Sequence, residues 1–222
     1  MSALLACGHS LDAQPEKGAG QVHTKPNIIL ILADDLGWRD LGSYGSSFYH
    51  TPRLDEFATS GVRFTHAYSA ASTCTPTRAS ILTGQYPSRI GISEASGHLE
   101  GDFQHRLRFS SLPIARAVGP SSTNFIAPDY YTLGEAMKDA GYSTAFLGKW
   151  HLGHAPHIPE NDGFDYVVGG RHHPGPPGKN PQRAFFPPWD GDTFPESTQT
   201  LDMHIDDYLA ERAAEFIAAH TD

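Results

Sequence analysis

Asn27-Ile28-Ile29-Leu30-Ile31-Leu32-Ala33 is apolar without alternation after its first residue. A strand with one wet face alternates. An unbroken run of this length predicts a strand covered on both faces, as in a parallel sheet packed between helices. The run ends in Asp34-Asp35-Leu36-Gly37. In open α/β sheets ligands bind beyond the carboxyl ends of strands, which is where these two carboxylates fall. Adjacent acids repel unless a cation holds them, and a hard divalent ion with oxygen ligands is a natural partner. A plain Asp-Asp turn before Gly37 reads the same residues equally well.

The elements that follow agree with that class. Thr51-Pro52 opens a short helix with a cap and a proline in its first turn, Leu54, Phe57 and Ala58 are expected to face the core, and Gly61 ends it. Val62–Tyr68 is expected to be a strand or extended segment. Thr132-Leu133-Gly134-Glu135 is a capping box, with Leu133, Ala136, Met137 and Ala140 as the apolar stripe and Gly141 as the stop. Tyr142–Leu147 then reads as a strand. Alternating strands and capped helices predict an α/β fold with a mainly parallel sheet flanked by helices.

Two further segments carry chemistry. In Cys74-Thr75-Pro76-Thr77-Arg78-Ala79-Ser80-Ile81-Leu82-Thr83-Gly84, Pro76 suits a first helical turn and Gly84 a stop. Cys74 and Arg78, four apart, share one face. Helix starts attract anions through their amides and dipole. A thiol, a guanidinium and an anion site within one turn suit a sulfate or phosphate ester, although a cysteine at a helix start is often merely buried. Downstream, Gly148-Lys149-Trp150-His151 leaves the strand. If extended geometry persists, Lys149 and His151 point one way and Trp150 the other.

Cys-x-Pro-x-Arg with Ala-x-x-x-Thr-Gly, and Gly-Tyr-x-Thr-x-x-x-Gly-Lys-Trp-His, closely resemble the two signatures of the type I sulfatases. The resemblance implies the alkaline-phosphatase-like fold. It also implies oxidation of Cys74 to 3-oxoalanine (formylglycine) by a formylglycine-generating or anaerobic sulfatase-maturing enzyme. Asp34 and Asp35 would be calcium ligands, with the converted Cys74 beside the ion. Arg78 and Lys149 would contact the sulfate, and His151 would hydrogen-bond the aldehyde hydrate. The implied activity is hydrolysis of a sulfated small molecule or carbohydrate. Phosphonate monoester and phosphodiester hydrolases of the same superfamily share the motif. A noncatalytic protein that binds sulfate esters, and a thiol-dependent enzyme using His151, also stand as readings of these residues.

The remaining segments are less specific. Ser93–Asp129 is polar, with Arg106, Arg108 and Arg116, and loops of this kind often shape specificity. His151, His154 and His157 repeat every third residue, but Pro156 and Pro159 break any helix that would align them on a metal. Gly163-Phe164-Asp165-Tyr166 resembles a family segment and is expected to act as a hydrophobic anchor. Residues 169–199, with Arg171, His172 and His173, read as a long loop lacking a core-forming pattern. Ile205, Tyr208, Leu209, Ala213, Phe216 and Ile217 mark an amphipathic helix through about His220.

Sulfatases are about twice this long, and length is a soft guide to architecture. The family places more metal ligands, another lysine and another histidine after the position of this last helix. The expectation is therefore an amino-terminal part of the catalytic domain over residues 27–222, incomplete at the carboxyl end, with weak calcium binding and little turnover by itself. Leu4-Leu5-Ala6-Cys7-Gly8 resembles a lipobox, so residues 1–26 are expected to be a shortened lipoprotein leader and tether, with a lipid anchor at Cys7. A periplasmic or secreted location goes with that reading. A net charge of −9 without a basic stripe argues against nucleic acid as a partner. The two cysteines, 7 and 74, are assigned separate chemical fates rather than a disulfide.

Overall fold

The computed structural model describes residues 25–100, 121–200 and 202–220. The expectations on Cys7, on the leader, and on Arg106, Arg108 and Arg116 lie outside those residues. Chain contacts divide the protein into two compact units, Met1–Asp34 and Asp35–Asp222.

In the first unit, the expected strand at 27–33 does not form. Residues 27–33 are all exposed, with Ile31 at 86%, and they carry no ladder. A strand of this composition is stabilised by partners at its edges and cover on its faces; among the described residues it has neither.

The second unit begins with a segment held by polar contacts. Helix α1, Pro52–Ser60, follows Thr51 as expected, with Pro52 in its first turn. The Thr51 hydroxyl does not cap α1; it accepts from the Gly42 amide at 2.9 Å, while Asp55 accepts from the Ser43 amide at 2.6 Å. The side chains expected in a core are not there: Phe57 is 74% exposed and Leu54 is exposed as well, so α1 buries nothing. Val62–Tyr68 forms no strand, and Val62, Phe64 and Tyr68 are exposed.

Burial rises sharply at α2, Cys74–Thr83, which starts and stops where its proline and glycine dictate. Gly84 takes the left-handed conformation at φ 65° and returns its amide to the Ser80 carbonyl. The short α3, Pro87–Ile90, follows. Helix α4, Leu133–Asp139, carries both bonds of the capping box between Thr132 and Glu135. Gly134 lies against the Asp162 carbonyl, where any Cβ would overlap it.

The described sheet consists of two parallel strands, β1 (Ala145–Gly148) and β2 (Tyr166–Gly169), with Ala145 opposite Tyr166 and Gly148 opposite Gly169. The alternation of a strand sorts their side chains between two cores. Phe146 joins Ala79, Leu82, Ile90, Ile92, Ile126, Trp150 and Leu152, a cluster that also receives Leu133, Tyr130 and Phe164. Leu147 joins Val168, Trp189, Phe194, Ile205 and Tyr208. Phe164 is thus the anchor expected of it, edge-on to Phe146 at 5.3 Å between ring centroids. The 169–199 stretch corrects its expectation. Although it has no periodicity, Trp189 and Phe194 from it are buried in the second core, because irregular backbone can still deliver isolated aromatics. Helix α5, Ile205–Ala219, closes that core with Ile205 and Tyr208 and leaves Ile217 exposed.

Candidate active site

Cys74 is the first residue of α2 and a free, partly buried thiol. One turn along, Arg78 is buried, and its Nη1 donates to the Lys149 carbonyl oxygen at 2.5 Å. This bond ties the helix to the end of β1. The sequence-paired Cys74 and Arg78 and the downstream Lys149 therefore meet at one place, although Arg78 reaches the Lys149 backbone rather than its side chain.

The expected extended run through Lys149 and His151 does not persist. Gly148 has φ 99°, and His151 has φ 58°, an unusual conformation for a side chain with a Cβ. The chain turns inward there. Trp150 enters the first core at 1% exposure, and His151, also 1% exposed, lies under the start of α2.

His151 is clamped from several directions. Its amide donates to the Arg171 carbonyl at 3.1 Å. Its own carbonyl accepts from the Thr75 hydroxyl at 3.2 Å, and that hydroxyl oxygen also lies 3.3 Å from His151 Nδ1 and accepts from the Gly97 amide at 3.3 Å. On the far side of the ring, Nε2 is 3.0 Å from Nδ1 of His98. With both rings neutral, one proton arrangement satisfies every contact: Thr75 donates to the carbonyl, His151 donates from Nδ1 to Thr75, and His98 donates from Nδ1 to His151 Nε2. Gly97 permits this approach, since a Cβ there would overlap the His151 carbonyl. Thr75, Gly97 and His98 were not singled out by sequence. Thr75 occupies a variable position of the motif, and Gly97-His98 lies in a polar stretch with no periodicity.

The three histidines at every third position diverge. His151 bonds to Thr75 and His98, His154 stacks on His172 at 3.9 Å, and His157 stacks on Phe125 at 3.9 Å. Among the described residues no group of three or more His, Cys, Asp or Glu side chains is gathered as a metal site requires. Asp34 ends the first unit and Asp35, with φ 55°, begins the second. Calcium, which takes about six to eight oxygen ligands, does not fit the described donor set.

What remains is a partly accessible sulfur at a helix start, beside a buried arginine and an imidazole of fixed tautomer. Such a site presents positive charge to a bound oxyanion, with the imidazole bracing it from beneath.

Comparison with known proteins agrees. The family model for Sulfatase matches residues 26–222. N-acetylgalactosamine-6-sulfatase of Homo sapiens is 32% identical over 209 residues, covering 90% of this chain and 37% of that protein. Arylsulfatase A of Bos taurus is 42% identical over 147 residues, covering 65% of this chain and 25% of that protein. A crystal structure of Ps i-CgsB in complex with k-i-k-neocarrahexaose is similar with a TM-score of 0.60 and 30% identity, over 88% of this chain and 42% of that one. The chain thus spans less than half the length of each of these three proteins.

Proposed function

Because the chain belongs to the sulfatase family, we propose that it contributes the nucleophile-bearing part of a sulfuric ester hydrolase acting on sulfated carbohydrate. The observation that carries this reading is the junction of α2 with the end of β1, where Arg78 grips the Lys149 carbonyl beside Cys74. The carbohydrate class is suggested by the names of the relatives, one an N-acetylgalactosamine-6-sulfatase and one a structure in complex with k-i-k-neocarrahexaose.

The free thiol at the first position of α2, half open to solvent, suits conversion to formylglycine by a maturation enzyme. Once formed and hydrated by addition of water, that group would supply a hydroxyl nucleophile and a second hydroxyl through which sulfate could be expelled. The chain's own residues do the rest. Arg78, buried and oriented by its bond to Lys149, places charge against the sulfuryl oxygens, and Lys149 adds a second cation. His151 engages Thr75 through Nδ1 and His98 through Nε2, so both ring nitrogens are taken and it acts by bracing the start of α2, which carries the group at 74. An unmodified thiol lacks the second oxygen and would stall after one transfer. No step is assigned to calcium. With so few gathered ligands, the 222-residue chain alone is expected to bind calcium weakly and turn over slowly; robust calcium-dependent hydrolysis by the purified chain would contradict this.

The test begins with co-expression of the chain and a formylglycine-generating enzyme, followed by mass spectrometry of the peptide containing residue 74. An aldehyde at 74 is expected, and none in Cys74→Ala or Cys74→Ser. In a longer polypeptide joining this segment to a full set of calcium donors, those variants are expected to lose sulfate-ester hydrolysis, with sulfate esters preferred over phosphodiesters. Turnover by material carrying only the unconverted thiol would overturn the proposal.

A further inference from the structure

A cleft of about 260 Å³ opens beside the candidate active site and is lined by His154, Arg171, His172, His173, Asp190 and Asp192, among others. Its volume is too little for a large ligand and enough for one ring-sized group. Two bonds join it to the site. The Arg171 carbonyl accepts the His151 amide at 3.1 Å, and His154 Nε2–H donates to the His98 carbonyl at 3.2 Å.

The walls have a definite chemistry. His172 stacks on His154 at 3.9 Å and is tilted by 31° against His173 at 4.3 Å, so the three rings form a row running from the His98 side toward Asp190. At its outer end His173 Nε2 lies 3.9 Å from Asp190 Oδ2. Opposite, Arg171 is 14% exposed in its side chain and is locked by Glu160, at 2.8 Å, and by Asp192, at 2.7 Å.

Charge then selects the ligand. Glu160 and Asp192 both pair with the one guanidinium, and a third carboxylate, Asp190, stands by His173. Burial, and then the neighbouring rings of His154 and His173, pushes His172 down from its ordinary value. The Arg171 hydrogen bond holds Asp192 below its ordinary value and therefore ionised. A second sulfate or carboxylate would be repelled by these carboxylates, whose one arginine is already paired twice. A neutral polyol would not: its hydroxyls can donate to the carboxylates and accept from imidazole N–H, while its C–H face lies on flat rings.

We propose that this cleft is a saccharide subsite that takes a neutral hexopyranose unit of the sulfated carbohydrate, next to the unit bearing the scissile ester. The assignment deepens the hydrolase reading and rests on it for the identity of the neighbouring unit. Asp190 and Asp192 act as hydroxyl acceptors, the histidine row as the platform, and Arg171 as the brace that fixes both the cleft wall and the His151 amide.

The test is saturation-transfer NMR on the whole chain with methyl β-D-galactopyranoside as probe and inorganic sulfate as competitor. Saturation of the sugar C–H protons is expected, with sulfate leaving it unchanged. His173→Ala should weaken binding about ten-fold by removing ring surface. Asp190→Asn, at an exposed carboxylate that the fold does not need, should weaken it about five-fold. Circular dichroism melting checks that both variants remain folded, and an unfolded His173→Ala leaves Asp190→Asn to decide. Absence of transfer, equal transfer in a folded variant, or displacement of the sugar by sulfate would each overturn the subsite. Cys74→Ala is expected to keep the sugar signal. Sugar binding is read without the aldehyde and the aldehyde without the sugar, so failure of the subsite and failure of the hydrolase reading remain distinguishable.

Discussion

Residues 25–68 and residues 74–200 carry sequence signals of similar strength, and the fold treats them in opposite ways. The first region holds the most apolar stretch of the chain, yet Ile29, Ile31, Trp38, Phe57 and Tyr68 stand in solvent. Its helix α1 is organised by Thr51 and Asp55 bonding to backbone amides rather than by apolar packing. The second region is poorer in apolar runs, but it builds two aromatic-rich cores and buries Trp150 and His151. The difference lies in where each signal finds its partner. A helix closes its hydrogen bonds within itself and stops at a glycine, whereas a parallel strand must find its partners elsewhere in the chain.

The largest test of that contrast is a pair of truncations. Trp150→Ala should cost about 3–5 kcal/mol, while Phe57→Ala, at 74% exposure, should stay within about 0.5 kcal/mol in denaturant titrations. Similar costs for the two would erase the distinction between the regions. Next in size is Gly97→Ala, where the added methyl overlaps the His151 carbonyl. It should cost about 1–3 kcal/mol and move the His151 ring resonances, both absent if the His98 segment does not clamp His151.

A smaller effect is expected at Asp162, whose carboxyl is raised to about 7, chiefly by burial and then by the nearby Glu135. Its folded value lies above the unfolded one. Stability is therefore full below about pH 4 and falls as pH rises toward 7, because the unfolded chain releases the proton first. Asp162→Asn should gain about 1 kcal/mol near pH 8 after allowing for solvent screening of a partly exposed carboxyl, and that gain should vanish near pH 4. A thermal melting series across this range reads it, and a pH-independent difference would contradict the cause given. The smallest effect belongs to Ile31→Asn, expected within about 0.5 kcal/mol of the parent. Hydrogen exchange should show fast amides at 28–32 and slow ones at 145–148; protection at 28–32 would mean the run is paired after all.

Much of the candidate site was legible in the residues themselves. Cys74, Pro76, Arg78 and Gly84 define α2 at both ends and place thiol and guanidinium on one face. The Thr132-Glu135 box and the Phe164 anchor are equally local or nearly so. Less legible was how the site is held. Thr75 Oγ1 meets His151 across 76 positions, and His98 meets it across 53. No spacing rule encodes such pairs.

By itself the sequence determined the helix boundaries, the family motifs and the identities of the charged groups, because caps, prolines and glycines act within a turn of where they stand. Tertiary structure alone decided which apolar residues are buried, that His151 turns inward at φ 58°, and that Thr75, Gly97 and His98 surround it. Burial and long-range hydrogen bonds depend on which surfaces meet, and that is settled only when distant segments pack together.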